Sequence, residues 1–143
     1  MSDVIRIGVV GYSSQKFDES KARSYLSEAF DKVESDYRGT ISPTFIVISG
    51  PTDIGIPALA YREAIKRKWM TVGIACEKAK EYDCFDVNYS LIEGKNWGDE
   101  SPFFLKAIDV MVKIGGGKQS QSEAKQAKDR GLKVIEYDLE AKT

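Results

Sequence analysis

Val4-Ile5-Arg6-Ile7-Gly8-Val9-Val10-Gly11-Tyr12-Ser13-Ser14 is a β-branched run that stops on a glycine and passes into small polar residues. A run too apolar to alternate marks a strand covered on both faces, and the glycine marks a tight turn at its end. Immediately downstream, Ala22, Tyr25, Leu26, Ala29, Phe30 and Val33 recur at the spacing of one helical face. Asp18 or Ser20 can cap that helix, and Gly39 lies just beyond its end.

The same strand, glycine and helix grammar repeats outward from this unit. Residues 44–49 form a second apolar run, closed by Gly50-Pro51-Thr52-Asp53-Ile54-Gly55, and Pro57 suits the first turn of the helix that follows to Lys68. Residues 71–75 read as a third strand and residues 85–89 as a weaker fourth. Asp99 or Ser101 can open a helix through Phe103, Phe104 and Ala107 that leads into a strand at 109–114. Gly115-Gly116-Gly117 breaks that strand, Ser120 and Glu123 have the spacing of a capping box, and Gly131 ends the last helix before a strand at 132–137. Short strands alternating with helices predict an α/β fold, a Rossmann-like three-layer sandwich with a mainly parallel sheet of five or six strands. A length of 143 residues, without a linker or repeat, predicts one domain over 1–143.

Composition narrows the chemistry. Lys+Arg 21 against Asp+Glu 22 gives a net charge of −1, so nucleic acid is an unfavoured partner. Histidine is absent, which removes Ser-His-Asp and Cys-His catalysis and imidazole metal sites. Acidic residues show no metal-ligand spacing, so neither metal nor cofactor is expected. Cys76 and Cys84 form no CxxC motif and read as small buried hydrophobes in a reducing compartment. With neither a leader nor an apolar run of about 20 residues, the chain is expected to be cytoplasmic and free of membrane.

In a parallel sheet, ligands bind beyond the carboxyl ends of the strands, where helix N-termini present free N–H groups. Three loops compete for that place, and their candidate ligand-binding residues are Gly11, Tyr12, Ser13 and Ser14, then Gly50, Thr52, Asp53 and Gly55, then Gly115, Gly116, Gly117, Lys118 and Ser120. Glycines allow close approach of backbone to phosphate, Lys118 can neutralise it, and Tyr12 or Trp97 can stack on a base. Each feature also has an ordinary structural use: βα turns favour glycine, Tyr12 can cover its own turn, and Asp53 can cap a helix rather than hold a ribose. Tyr25, Phe30 and Trp69 are assigned to packing. The second loop has two glycines of a Walker A motif, but Ile56-Pro57 stands where Lys and Ser/Thr are required, so a P-loop is excluded. Gly8-Val9-Val10-Gly11 fails the dinucleotide fingerprint.

Taken in order, Gly11-Tyr12-Ser13-Ser14, Ser49-Gly50 with Gly55-Ile56, and Gly116-Gly117-Lys118-Gln119-Ser120 with Glu123 resemble the SLOG superfamily over nearly the whole chain. That group includes the Lonely Guy (LOG) phosphoribohydrolases and DprA-type proteins. The resemblance places Gly116 and Gly117 on the paired glycines of the LOG signature, Ser120 on its threonine and Glu123 on its glutamate. Gly115 and Gln119 depart from it, as do Pro51, Thr52 and Pro57. The arginine-lysine pair of LOG hydrolases has no arginine here, since residues 93–104 offer only Lys95.

These departures shift the expectation from hydrolysis to binding. The chain is expected to hold a phosphorylated nucleoside, an ADP-ribose-like compound or a cyclic nucleotide as a sensor or sequestering protein. The alternative is an N-ribohydrolase that cleaves base from a nucleoside 5'-monophosphate, with Glu123 stabilising an oxocarbenium-like state and a basic group from Arg62, Lys95 or a second subunit. Whether the chain is an enzyme stays open at this point. The resemblance also implies a homodimer or higher homo-oligomer, for which Phe103-Phe104 could supply an apolar contact.

Overall fold

The computed structural model describes residues 3–142. Six strands, β1 (Val4–Gly11), β2 (Thr44–Ser49), β3 (Met70–Ala75), β4 (Tyr89–Ile92), β5 (Val110–Ile114) and β6 (Lys133–Tyr137), form one sheet in the order β4-β3-β2-β1-β5-β6. Every pairing is parallel. The helices α1 (Glu19–Asp36), α2 (Gly55–Lys66), α3 (Ser101–Ala107) and α4 (Lys118–Asp129) complete the expected α/β sandwich.

Alternation along the strands sorts side chains between two layers. Ile5, Ile7 and Val9 of β1 and Val110, Val112 and Ile114 of β5 pack with Leu26, Phe30 and Val33 of α1 and Leu59 and Tyr61 of α2. Val10 and Met111 face the other way, against Phe104, Leu105, Ala124 and Ala127 of α3 and α4. Trp69 stacks on Phe45, and Tyr25 stacks on Tyr137, so both serve packing as expected.

Several local expectations are corrected. The fourth strand is 89–92 rather than 85–89: Phe85 and Val87 are apolar because they pack on the α1/α2 core from a loop. Asp18, not Ser20, caps α1, accepting from the Lys21 N–H at 3.1 Å. Asp53 caps nothing, since Ile54 holds the α2 N-cap position without a side-chain bond. The capping box at Ser120 and Glu123 does not form, because Gly117 rather than Ser120 holds the N-cap position and α4 starts three residues earlier, at Lys118. Cys76 is buried but Cys84 is exposed. Phe104 lies in the core, leaving only Phe103 exposed.

Candidate functional site

The strand order reverses direction between β1, which leads outward to β2, and its other neighbour β5. Their carboxyl ends, Gly11 and Ile114, are paired in register, so the first and third glycine loops leave the sheet side by side. Three hydrogen bonds stitch the loops together. Ile56 N donates to Tyr12 O at 2.7 Å, Ser120 Oγ donates to Gly11 O at 3.3 Å, and Ser49 Oγ donates to Val9 O at 2.6 Å.

A cleft of about 350 Å³ opens over this junction. Of the residues singled out from the sequence, Gly11, Tyr12, Ser13, Ser14, Gly50, Gly117, Lys118, Ser120 and Glu123 line it. Its apolar floor comes from Val10, Ile74 and Phe104. Trp97, half exposed, stands at the wall.

The other candidates lie outside the lining. Thr52 bridges to Cys84, and Asp53 Oδ1 accepts from Arg62 Nη2 at 3.0 Å, which turns both away from the cleft. Gly55, Gly115 and Gly116 are packing glycines. Gly55 has φ +67° and its backbone lies against Tyr12 and Ser13, while a side chain on Gly116 would press on Ser120. Gly50 and Gly117 differ from these, since nothing lies within 4 Å of the place a Cβ would take. Tyr12 is committed to the fold: its hydroxyl donates to Leu139 O at 2.8 Å and its ring lies beside Gly115.

The N-terminus of α4 has no side-chain cap. Its first main-chain turn, from Gly117 to Ser120, faces the cleft with free donors and the positive end of the helix dipole, equivalent to about half a charge. Lys118 is the basic side chain in the lining; Arg62 is paired with Asp53 and lies over the Phe85 ring, and Lys95 is not part of the wall.

Sequence reasoning singled out Glu123 but missed Glu100, which joins it in an acidic wall beside Lys118. Glu123 is 6% exposed and Glu100 is 8% exposed, and both reach the cleft. Ser101 Oγ donates to Glu123 Oε2 at 2.8 Å. Glu100 accepts from Gly98 N at 3.0 Å and from Gln119 Nε2 at 3.1 Å. Burial pushes the Glu123 carboxyl up to about 7, the Ser101 bond opposes the rise, the Glu100 charge adds to it, and the Gln119 amide opposes it. The ionised carboxylate expected for oxocarbenium stabilisation is therefore only partly populated near neutrality. No segment-level pattern announces Glu100, because its place depends on α3 meeting α4 across the end of the sheet.

Among the described residues, no three His, Cys, Asp or Glu side chains gather as a metal site, and no helix is long and apolar enough to cross a membrane.

No family model and no curated protein sequence matches the chain. Solved structures do. An X-ray structure of TM1055, a structural genomics target, has 22% identity and a TM-score of 0.70, covering 91% of this chain and 72% of its own. The molybdenum cofactor carrier protein from Chlamydomonas reinhardtii has 17% identity and a TM-score of 0.71, covering 92% of this chain and 75% of its own. The molybdenum cofactor binding protein from the phototrophic bacterium Rippkaea orientalis has 18% identity and a TM-score of 0.67, with 95% and 76% covered. This chain therefore shares its Rossmann-like fold with these structures, the molybdenum cofactor carrier proteins among them.

Proposed function

We propose that the cleft holds a small phosphorylated ligand, a nucleotide by preference, and that the protein carries, sequesters or senses it as a single domain without consuming it. One observation carries this reading: the uncapped α4 N-terminus opens onto the cleft through Gly117, whose Cβ position is empty. A phosphate there would accept from the Gly117-to-Ser120 backbone and the Ser120 hydroxyl, with Lys118 as counter-charge. Gly11, Ser13, Ser14 and Gly50 would line the rest of the ligand, and Trp97 would offer a stacking face.

The likeness to carrier proteins supports holding over turnover and puts the molybdenum cofactor on the panel of ligands to try. Ligand-observed proton NMR on AMP, ADP, ADP-ribose, cyclic nucleotides and that cofactor should show broadening of at least one ligand, lost in Gly117→Asp. No broadening of any of them by the wild type would overturn the reading.

A second reading draws on Glu123. A carboxyl group poised at about 7 can give a proton to a leaving base, as an N-ribohydrolase requires. Free base appearing in those spectra with wild type and not with Glu123→Ala would establish it. A homodimer or larger assembly belongs to the same proposal, with the exposed Phe103 as a contact; sedimentation as a monomer at micromolar concentration would remove it.

A further inference from the structure

The segment between β4 and α3 is folded on itself. Asp99 Oδ2 accepts from Lys95 N at 3.1 Å and from Asn96 N at 3.0 Å, and Asp99 N donates to Asn96 O at 3.0 Å. Gly94, at φ +84°, lies so close to Asp99 that a Cβ there would collide with it. Residues 94–101 thus make a small flap, and its Trp97 lines the cleft.

The flap is anchored at both ends. Glu93 N donates to Ala75 O and Glu77 N to Gly94 O on one side, and Phe104 and Leu105 of α3 are buried in the core on the other. Between these anchors, the side-chain hydrogen bonds that leave the flap run to α4 alone among the described residues. Gln119 Nε2 donates to Glu100 Oε1 at 3.1 Å and reaches Ser101 Oγ at 3.4 Å, and Ser101 Oγ donates to Glu123 Oε2 at 2.8 Å. A relay of Glu100, Gln119, Ser101 and Glu123 therefore ties flap to helix.

Buried carboxylates stand at both ends of this relay, and no lysine or arginine forms an ion pair with either among the described residues. The other charged groups on the elements packed around them are Lys118 in the first turn of α4, Lys106 in the last turn of α3, Lys113 on β5 and Glu136 on β6, which Lys128 engages. Two buried carboxylates without a cation are costly to ionise together. Donors decide which one keeps a proton. Glu100 accepts from an N–H on each oxygen, from Gly98 and from Gln119, which favours its charged form, whereas Glu123 accepts from one hydroxyl. Burial accordingly raises the Glu123 carboxyl to about 7, and the Glu100 charge adds to the rise.

We infer that a proton on Glu123 latches the flap to α4: the neutral acid keeps the relay closed, and its ionisation loosens residues 94–101 about Gly94. Linkage sets the direction, since a closed flap that disfavours the carboxylate must itself be disfavoured once the carboxylate forms and gains by reaching water. The chain has no histidine, so no side chain of ordinary acidity competes for this role near neutrality. That the latch governs ligand retention rests on the binding reading above; the latch itself is tested on the protein without ligand.

Hydrogen exchange of the full chain, with protection over residues 98–106 corrected for intrinsic rates, and carbon-13 NMR of the glutamate carboxyls are to be followed from pH 5.5 to 8.5. The wild type should show one carboxyl titrating near neutrality, absent from Glu123→Gln, and flap protection should fall about threefold or more across that step. Glu123→Gln, a lasting mimic of the neutral acid, should keep its acid-side protection throughout, and Glu100→Gln should move the step to lower pH. Ser101→Ala should weaken protection on the acid side, where the wild type is latched, and change it little on the alkaline side. Glutamate carboxyls that all titrate below pH 5.5, protection that is equal at pH 6 and pH 8, or a fall that persists in Glu123→Gln would each overturn the latch. None of these results would touch the binding reading, which the ligand spectra decide separately.

Discussion

The two faces of the sheet treat charge in opposite ways. On the α1/α2 face, Arg67 is answered by three carboxylates: Nε meets Glu63 at 2.8 Å, Nη2 meets Asp31 at 2.8 Å and Nη1 meets Glu34 at 2.5 Å. The guanidinium also lies over Phe30 and Trp69, which ties α1, α2 and the entry to β3 into one packed unit. On the α3/α4 face, two carboxylates share a cleft, Glu123 held by the Ser101 hydroxyl and Glu100 by Gly98 N and the Gln119 amide. One face closes its polar groups on themselves. The other leaves two carboxylates and an uncapped helix N-terminus facing a cavity, an arrangement that costs stability.

Breaking the closed parts should cost folding energy, and breaking the open part should not. The largest effect belongs to the seam where the loops touch. Gly55→Val puts a branched side chain at φ +67° against the Tyr12 and Ser13 backbone, and should cost about 3 kcal/mol or more in urea unfolding.

Next comes the cleft itself, with the opposite sign. Glu123 has its carboxyl raised in the folded state from 4.5 to about 7, so the native protein binds more protons than the unfolded chain between those values. Its contribution to stability is greatest below about pH 4.5 and declines as pH rises toward 7. Glu123→Gln removes this loss, so the variant should gain on the wild type by roughly 2–3 kcal/mol across that window. Denaturation curves at pH 4.5 and 7.5 would check it, and a constant difference between the two proteins would break the contrast drawn between the faces.

Arg67→Met is expected to cost about 1–3 kcal/mol by leaving the half-buried Glu63 without its partner. Loss of stability here and gain at Glu123 would sharpen the comparison. The smallest change in stability belongs to Gly117→Ala, below about 1 kcal/mol, because nothing lies within 4 Å of the new methyl group. Its signature lies in binding: blocking one backbone donor should reduce AMP affinity about tenfold or more. Thermal melts paired with titration would separate the two effects.

Much of this could be read from residues alone, and the exceptions share a cause. Strands β1, β2, β3 and β5 were legible because each is a largely apolar run terminated by glycine or a polar turn, and β6 because Val134 and Ile135 follow the helix-ending Gly131. β4 was not, since its exposed Tyr89 and Leu91 look like surface while the buried-side pattern belongs to the loop residues Phe85 and Val87. The three loops were legible as neighbours, yet identical glycines within them divide into those that pack and those that stay open. Only the partners across the seam decide that division. Ser120 and Glu123 followed the letter of a capping box, but tertiary contacts claimed both side chains, the hydroxyl for Gly11 and the carboxylate for Ser101. Glu100 has no local signature at all.

The bond from Tyr12 to the Leu139 carbonyl, and that from Lys142 N to Lys16 O, carry a consequence for biosynthesis. The loop at the start of the chain is fastened by residues translated more than a hundred positions later, and its strand β1 pairs with β5 from the same late portion. On the ribosome, the first two βα units can assemble while the mouth of the cleft waits for its last fastening. A nascent chain would therefore acquire its scaffold well before it could retain a ligand, and stalled or truncated products would fold in part yet come away empty.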